Sequence, residues 1–446
     1  MMAILSKEEA QAILKKVIAF SKADECEVSL SGSEGGNVRY ARNAVSTAGD
    51  ISTMSLAVSS TYGKKTGSAT INEFDDKSLE KVVRRSEELA QLAPENPEYM
   101  PLVGPSAQPA KDAVTYVPST AAMTPDSRAV AVGKSIKASK DAKLEAAGFL
   151  ENTTGFSSYM NSKGLFGYNK STDVIFSITT RNQEGTGSGY AARGFNDVTK
   201  LDTLSATKIA AGKANGSAAA KSIEPGKYTV ILEPVAVTYM LENMFRFDAR
   251  SADEGRSFLS KPGGGNRLGE QLMDEKVNIY SDPFHPDLPS STFNRDGLPV
   301  ERVNWIEKGV VKNLNYSRYW AEKKGVKPGP FASNFIMDGG TASVEDLIKS
   351  TERGILVSRL WYIRMVDPQS LLLTGLTRDG TFYIENGQIK YPIKNFRFNE
   401  SPVIMLNNVE ALGKQERSIS VESYRSYLVP ALKVRDFTFT SSSDAV

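Results

Sequence analysis

Two segments of this 446-residue chain are near copies of one another, Trp305-Ile-Glu-Lys-Gly-Val-Val-Lys312 and Tyr383-Ile-Glu-Asn-Gly-Gln-Ile-Lys390. Each leads in with an aromatic residue and an Ile. Each then carries a Lys-Gly or Asn-Gly pair able to supply positive φ at a tight turn, and leads out with a β-branched residue. Both therefore predict β-hairpins. One such hairpin is common, but two of them, each inside a longer stretch of strand pattern, constrain the C-terminal half to be a mainly antiparallel β structure.

The length predicts two or three domains, since a single core stops growing well before 446 residues. Ser6-Lys-Glu-Glu9 is a capping box, and Ile13, Leu14, Val17 and Ile18 follow at helical period, so residues 6–22 form an amphipathic helix. Val38, Tyr40, the alternation Met54, Leu56, Val58 and the stretch 63–71 read as neighbouring strands. Asp75-Asp76 then caps a second helix with Leu79, Val82, Val83, Leu89 and Ala90 as its buried stripe. Residues 1–93 are thus an N-terminal α/β domain with a mainly antiparallel sheet. Pro94, Pro97, Pro101, Pro105, Pro109 and Pro118 make 94–123 a linker or a surface-hugging connection, because neither helix nor central strand survives such spacing.

A middle α/β domain, 124–224, follows. Thr124-Pro125 starts a helix to about residue 147, strands flank the turn Asn161-Ser-Lys-Gly164, and an Ala- and Lys-rich helix runs over about 197–220, frayed or bent at Asn215-Gly216. In the β-rich C-terminal domain, 225–446, Tyr228-Thr-Val-Ile-Leu232 is a short strand. Glu233-Pro234 opens a helix to about Phe247, Ser343 caps a short helix, and the remainder forms a large antiparallel, barrel-like layer. The fold class is α+β.

Composition excludes several functions. Net charge is +2 with acid and base nearly balanced, so no global field draws the chain to nucleic acid. Arg84-Arg85 lies among Glu80, Glu87 and Glu88 and reads as a solvated helix face. No apolar run approaches the roughly 20 residues that cross a bilayer. The first residues interleave Lys7, Glu8, Glu9, Lys15 and Lys16 with apolar ones, unlike a secretory signal, so cytoplasmic residence is expected. Cys26 is the single cysteine, flanked by carboxylates that raise a thiol pKa, and reads as a buried structural residue. His285 is the single histidine, in the proline-framed turn Asp282-Pro-Phe-His-Pro286, with no nucleophile context to serve. The Gly-rich loop 260–266 lacks phosphate-loop spacing.

The order and spacing of several segments resemble the TldD/PmbA family, also called modulators of DNA gyrase. They are Asn161-Ser-Lys-Gly164, Pro225-Gly-Lys-Tyr-Thr-Val-Ile-Leu-Glu-Pro234 and Asn294-Arg-Asp-Gly-Leu-Pro299 leading into 305–314 and Ser317-Arg-Tyr319, then Leu373-Thr-Gly375 leading into 381–392. The resemblance covers about residues 30 to 440. It implies two kinds of member. TldD-type chains resemble zinc peptidases, in which a His-Glu-x-x-x-His helix after the Gly-Lys-Tyr strand and a Cys near the C-terminus hold zinc, and the glutamate takes a proton from the metal's water. PmbA-type chains, also called TldE, keep the fold and pair with the zinc-bearing subunit.

An ungapped count from Pro234 puts the zinc motif on Glu242, Asn243 and Phe247, and the Cys near Leu412-Gly413-Lys414. No histidine stands between residues 1 and 284. A phenylalanine and a leucine cannot complete a zinc site, so this chain resembles the PmbA/TldE-like members and is expected to bind no metal itself, zinc belonging to a TldD-type partner. The resemblance implies a non-catalytic subunit forming half of a dimeric chamber for unfolded peptides, with a homodimer possible when the partner is absent. Candidate groove-lining residues are Glu242, Asn243, Arg246, Gly413 and Lys414, with a strand edge near 412–425 for main-chain pairing to substrate. Ordinary helix-surface polarity explains the first three equally well. An alternative from another class is an interaction protein that modulates gyrase or a toxin-antitoxin pair without proteolysis.

Overall fold

The computed structural model describes residues 4–105, 112–245 and 247–443. Strands β1 (Glu25–Ala41), β2 (Ala44–Tyr62), β3 (Lys65–Ile71), β4 (Glu145–Asn161), β5 (Phe166–Arg181) and β6 (Ser188–Phe195) build one antiparallel sheet in the order β3-β2-β1-β4-β5-β6. Its centre is the pairing of β1 with β4, from Glu27 opposite Asn161 to Tyr40 opposite Gly148. Strands from both sides of the proline-rich stretch therefore share a sheet. That stretch contains only the short helix α3 (Pro118–Ala121) among its described residues, and 106–111 lie outside them.

Helices α1 (Lys7–Phe20), α2 (Asp76–Leu92), α4 (Pro125–Asp141) and α5 (Thr203–Gly216) begin where their caps stand. Ser6 closes a full capping box with Glu9, and Asp75, Thr124 and Asp202 each accept an orphan amide. The helix expected from 197 is in fact a short 3-10 turn, Val198–Lys200, followed by α5, because Asp197 and Asp202 each cap a separate start. The four helices cover one sheet face. Leu14, Val17, Leu79 and Val83 pack on Val28, Leu30, Leu56 and Val58, and Val132 and Ala206 on Leu150, Val174 and Phe176. Burying such a side chain fully is worth about 1.5–3 kcal/mol. The alternate residues, among them Glu151, Thr153, Asp173 and Ile175, face the other way.

The second sheet is mixed and eleven-stranded. It comprises β7 (Gly226–Leu232), β8 (Ile279–Ser281), β9 (Val303–Glu307), β10 (Val310–Val311), β11 (Ile336–Met337), β12 (Arg353–Asp367), β13 (Leu372–Glu385), β14 (Gln388–Pro392), β15 (Asn395–Glu400), β16 (Val409–Ser420) and β17 (Arg425–Ser443). Most pairs are antiparallel, while β7–β12 and β11–β17 are parallel. The sheet curls enough for the long β17 to pair with both β15 and β7. Phe396, Phe398, Phe437 and Phe439 fill this curl, with Phe396 and Phe439 ring centroids 4.9 Å apart. Helices α6 (Pro234–Leu241), α7 (Ala249–Asp253), α8 (Arg318–Lys324), α9 (Val344–Lys349) and α10 (Pro402–Asn407) decorate it.

Both repeated segments are hairpins. Lys308 and Gly309 join β9 to β10 with φ of 49° and 74°, and Asn386 and Gly387 join β13 to β14 with φ of 51° and 72°. Positive φ at both central residues matches the right-handed twist of the flanking strands. A Cβ on Gly309 would also sit 2.1 Å from the Met273 carbonyl, so glycine is required there twice over.

Candidate functional site

The segment after β7 turns sharply into α6, with Pro234 at its first helical position. The helix ends at Leu241 and passes into a 3-10 turn, Glu242–Met244, instead of running on to Phe247. Asn243 explains part of this, since its Nδ2 donates to the Tyr239 carbonyl at 3.2 Å and competes with the helical ladder for that acceptor. The chain then leaves helical geometry altogether, as the Phe247 carbonyl accepts from the Asn315 amide at 2.6 Å.

Each position that the ungapped count assigns to a zinc ligand holds a side chain engaged elsewhere. Ser423 Oγ donates to Glu242 Oε2 at 3.1 Å. Burial pushes the Glu242 carboxyl up, against hydrogen bonds from Ser420 and Ser423, with Glu422 raising it further and Arg425 lowering it. Phe247 is buried and stacks on Trp305, centroids 5.1 Å apart and planes 8° from parallel. Leu412 pairs with Leu432 and packs on the core. One carboxylate, one amide and two hydrocarbon side chains do not fit zinc. Among the described residues, no group of three or more His, Cys, Asp or Glu is placed to hold a metal. Cys26 is buried, its thiol pushed up to about 11 mainly by desolvation. His285 stays in its turn, where its Nδ1 accepts from the Asp287 amide at 3.2 Å.

The remaining groove candidates are not brought together. Gly413 is buried in β16, and its carbonyl accepts from the Gly340 amide at 2.7 Å. The Lys414 amide donates to the Ala342 carbonyl at 2.7 Å, so the strand edge at these two residues is already paired. The exposed Lys414 side chain borders a cleft of about 440 Å³ with Lys213, Glu233 and Tyr190, away from Glu242 and Asn243. Arg246 lies outside the described residues.

A larger cavity of about 790 Å³ opens between the uncovered face of the first sheet and the β16–β17 hairpin. Asp173 and Glu151 stand on the sheet wall, and Arg417 and Arg425 on the hairpin wall. Asp173 is more than a third exposed to the cavity, yet the density of protein around it still pushes its carboxyl up to about 6 by desolvation, against the lowering effect of Arg417. Desolvation likewise raises Glu151. Arg417 Nη1 donates to the Asp287 carbonyl at 2.8 Å and to Asn196 Oδ1 at 3.3 Å, while its buried Nε has no partner. Burial depresses the Arg417 pKa, and Asp173 and Asp287 offset this only in part. Sequence reading passed over these residues. The available signal was weak, namely an Asp inside the apolar alternation of 172–178 and an Arg inside the strand after Leu412.

The fold joins an antiparallel sheet to a curled mixed sheet, and the positions counted for a zinc motif hold Glu242, Asn243, Phe247 and Leu412. Family comparison specifies it further. Residues 225–441 match the PmbA/TldA metallopeptidase C-terminal domain, and residues 26–90 match domain 1 of the same metallopeptidases. The chain belongs to the PmbA/TldD family, and with His285 as its single histidine it lacks a His-Glu-x-x-x-His motif. It is 26% identical over 172 residues to the metalloprotease PmbA of Escherichia coli O157:H7, covering 37% of each chain. It is 22% identical over 287 residues to a metalloprotease of Methanothermobacter thermautotrophicus, covering 58% of this chain and 60% of that one. The chain thus spans about a third to three fifths of the length of these curated relatives. The fold of TldE from Thermococcus kodakarensis superimposes with a TM-score of 0.86 at 18% identity, over 97% of this chain and 100% of that one. A Thermotoga maritima protein named as a modulator of a DNA gyrase gives 0.84 at 19% identity, over 97% and 100%.

Proposed function

We propose that this chain is a non-catalytic, PmbA/TldE-like subunit of a TldD/TldE-type metalloprotease, forming half of a dimeric chamber that processes unfolded peptides. Zinc belongs to the TldD-type partner, and the complex works in the cytoplasm. The observation that carries this reading is Phe247. Where a zinc peptidase needs its second histidine, a buried ring stacks on Trp305 of the first repeated hairpin, so the position serves the core instead of a metal. The family supplies the peptidase setting, and the absence of all three ligands, two His and one Cys, removes the means to polarise water. No helix among the described residues is long and apolar enough to cross a membrane.

The purified chain is expected to carry no stoichiometric zinc and to cleave no unfolded peptide until a TldD-type chain is added. Chelator-sensitive cleavage by the homogeneous protein overturns the reading. Recovery of gyrase without any TldD-type chain in a pull-down would favour a modulator acting without proteolysis.

A further inference from the structure

Strand β2 has neighbours on both sides over only part of its length. From Leu56 to Tyr62 it lies between β1 and β3, and β3 stops at Ile71, opposite Leu56. From Ala44 to Ser55 it is paired with β1 alone, so for about 40 Å its outer row of amides and carbonyls has no strand partner among the described residues. Its faces are open as well. Every residue from Ala44 to Thr53 is exposed, with Val45 at 53% and Ile51 at 59%. Monomeric proteins protect such an edge with lysine, proline or inward-pointing charge. Ala44-Val-Ser-Thr-Ala-Gly-Asp-Ile-Ser-Thr-Met-Ser55 has a single charged residue, Asp50, and the Arg128 guanidinium of α4 neutralises it.

Gly49, in the middle of this stretch, is not required to be glycine by anything within the chain. Its φ lies outside the left-handed region, and a Cβ built on it would meet nothing within 4 Å. Gly35 and Gly36 on the neighbouring β1 differ, because a Cβ there would run into the Asn152 carbonyl and the Asp50 carboxylate. Glycine weakens a strand interior, and where no contact in the chain demands it, it marks the close approach of another backbone. We infer that the free edge of β2 pairs with the same edge of a second copy of this chain, antiparallel about a two-fold axis at Gly49, joining two six-stranded sheets into one. Facing residues of such a pair lie on one face of the sheet and so differ by an even number in sequence, which puts the axis on a residue. At Gly49 it sets Thr47 opposite Ile51 and Ala48 opposite Asp50, each twice, with no like charges facing. At Asp50 it would set two carboxylates face to face. An edge that is free, without net charge and self-complementary suits a second copy better than a dissimilar partner, whose charges it has none to match.

The inference does not rest on the peptidase-subunit reading, and its test uses this chain alone, so either can fail while the other stands. Sedimentation of the full chain is expected to show a dimer at about 100 μM. Gly49→Ala should keep it, and Gly49→Lys, which sets two ammonium groups opposite each other, should weaken it about tenfold or more. Gly49→Cys brings two thiols together at the axis, within the reach of a disulfide. With diamide as oxidant it should give a covalent dimer far faster than Leu92→Cys, a control position 82% exposed at the end of α2. The native Cys26 is buried and adds no cross-link. A monomeric parent, a dimer that Gly49→Lys leaves as tight as before, or cross-linking at position 49 no faster than at 92 overturns the inference. The cysteine comparison holds whether or not the lysine variant folds.

Discussion

Two arginines at the seam between the sheets have nearly the same setting and opposite fates. Arg359 on β12 lies over the Tyr190 ring, 3.8 Å from its centroid, and Arg417 on β16 lies over Phe195 at 5.7 Å, both rings belonging to β6. Arg359 is compensated. Its Nη1 donates to Asp379 Oδ2 at 2.8 Å, and Asp379, 1% exposed, also accepts from Ser188 Oγ at 2.9 Å. Burial opposes its charge, but Tyr190, Asp379 and Tyr239 more than offset this and hold its pKa above the ordinary value. Arg417 is under-compensated, its pKa depressed by burial that Asp173 and Asp287 offset only in part. The buried Nε of each arginine lacks a partner, so the difference lies in the carboxylate, which Arg359 holds in a buried ion pair and which Arg417 lacks among the described residues.

The largest expected effect breaks the closed site. Arg359→Ala leaves Asp379 buried with Ser188 as its remaining close partner, since Arg378 Nε is 3.9 Å away and too distant to hydrogen-bond. A loss of about 3–5 kcal/mol is expected from denaturant unfolding. A loss below about 1 kcal/mol would mean that the pair does not hold the seam. Pairing Arg359→Met with Asp379→Asn should recover most of that loss, because Asn tolerates the left-handed backbone at φ 55° and can still bond Ser188. If the double variant is as unstable as Arg359→Ala alone, the cost lies in lost packing on Tyr190 and not in a stranded charge. Arg417→Ala should cost far less, about 1 kcal/mol, because the Asp287 carbonyl and Asn196 amide that it leaves lie where water can replace it. Equal losses at the two arginines would erase the contrast.

The fold was more legible in the sequence than the seam. The hairpin turns at 308–309 and 386–387 and the caps at Ser6, Asp75, Thr124 and Ser343 are local events, decided by a few adjacent residues, and the structure has them where the sequence puts them. The parallel pairing of β7 with β12, separated by more than a hundred residues, leaves no local trace. The candidate groove was read from Glu242, Asn243, Arg246, Gly413 and Lys414 because a motif count pointed there. The structure has Asn243 bonded to its own helix and the main chain of Gly413 and Lys414 paired to residues 340–342. Asp173 and Arg417 lie 244 positions apart and meet only because β5, β6 and β16 converge, which no periodicity in either strand announces.

The smallest effect discriminates most sharply between the two arginines, because it reads the open cavity's electrostatics without a ligand. The Asp173 carboxyl is raised to about 6 in the folded chain from an ordinary 3.8. Between those values the folded chain holds a proton that the unfolded chain has released, so this residue's contribution to stability falls as pH rises through about 4 to 6 and is level above. Glu242 and Glu151 are also raised, so the parent's pH profile alone would not isolate Asp173. The difference between the parent and Asp173→Asn does. The variant should gain stability relative to the parent between pH 4.5 and pH 7, by urea midpoints at each pH. Since Arg417 lowers the Asp173 pKa across the cavity, Arg417→Gln should move the same transition to higher pH. A parent-minus-variant difference that is flat with pH would mean that Asp173 is freely solvated, and the open site would then lack the perturbed carboxyl that sets it apart from Arg359.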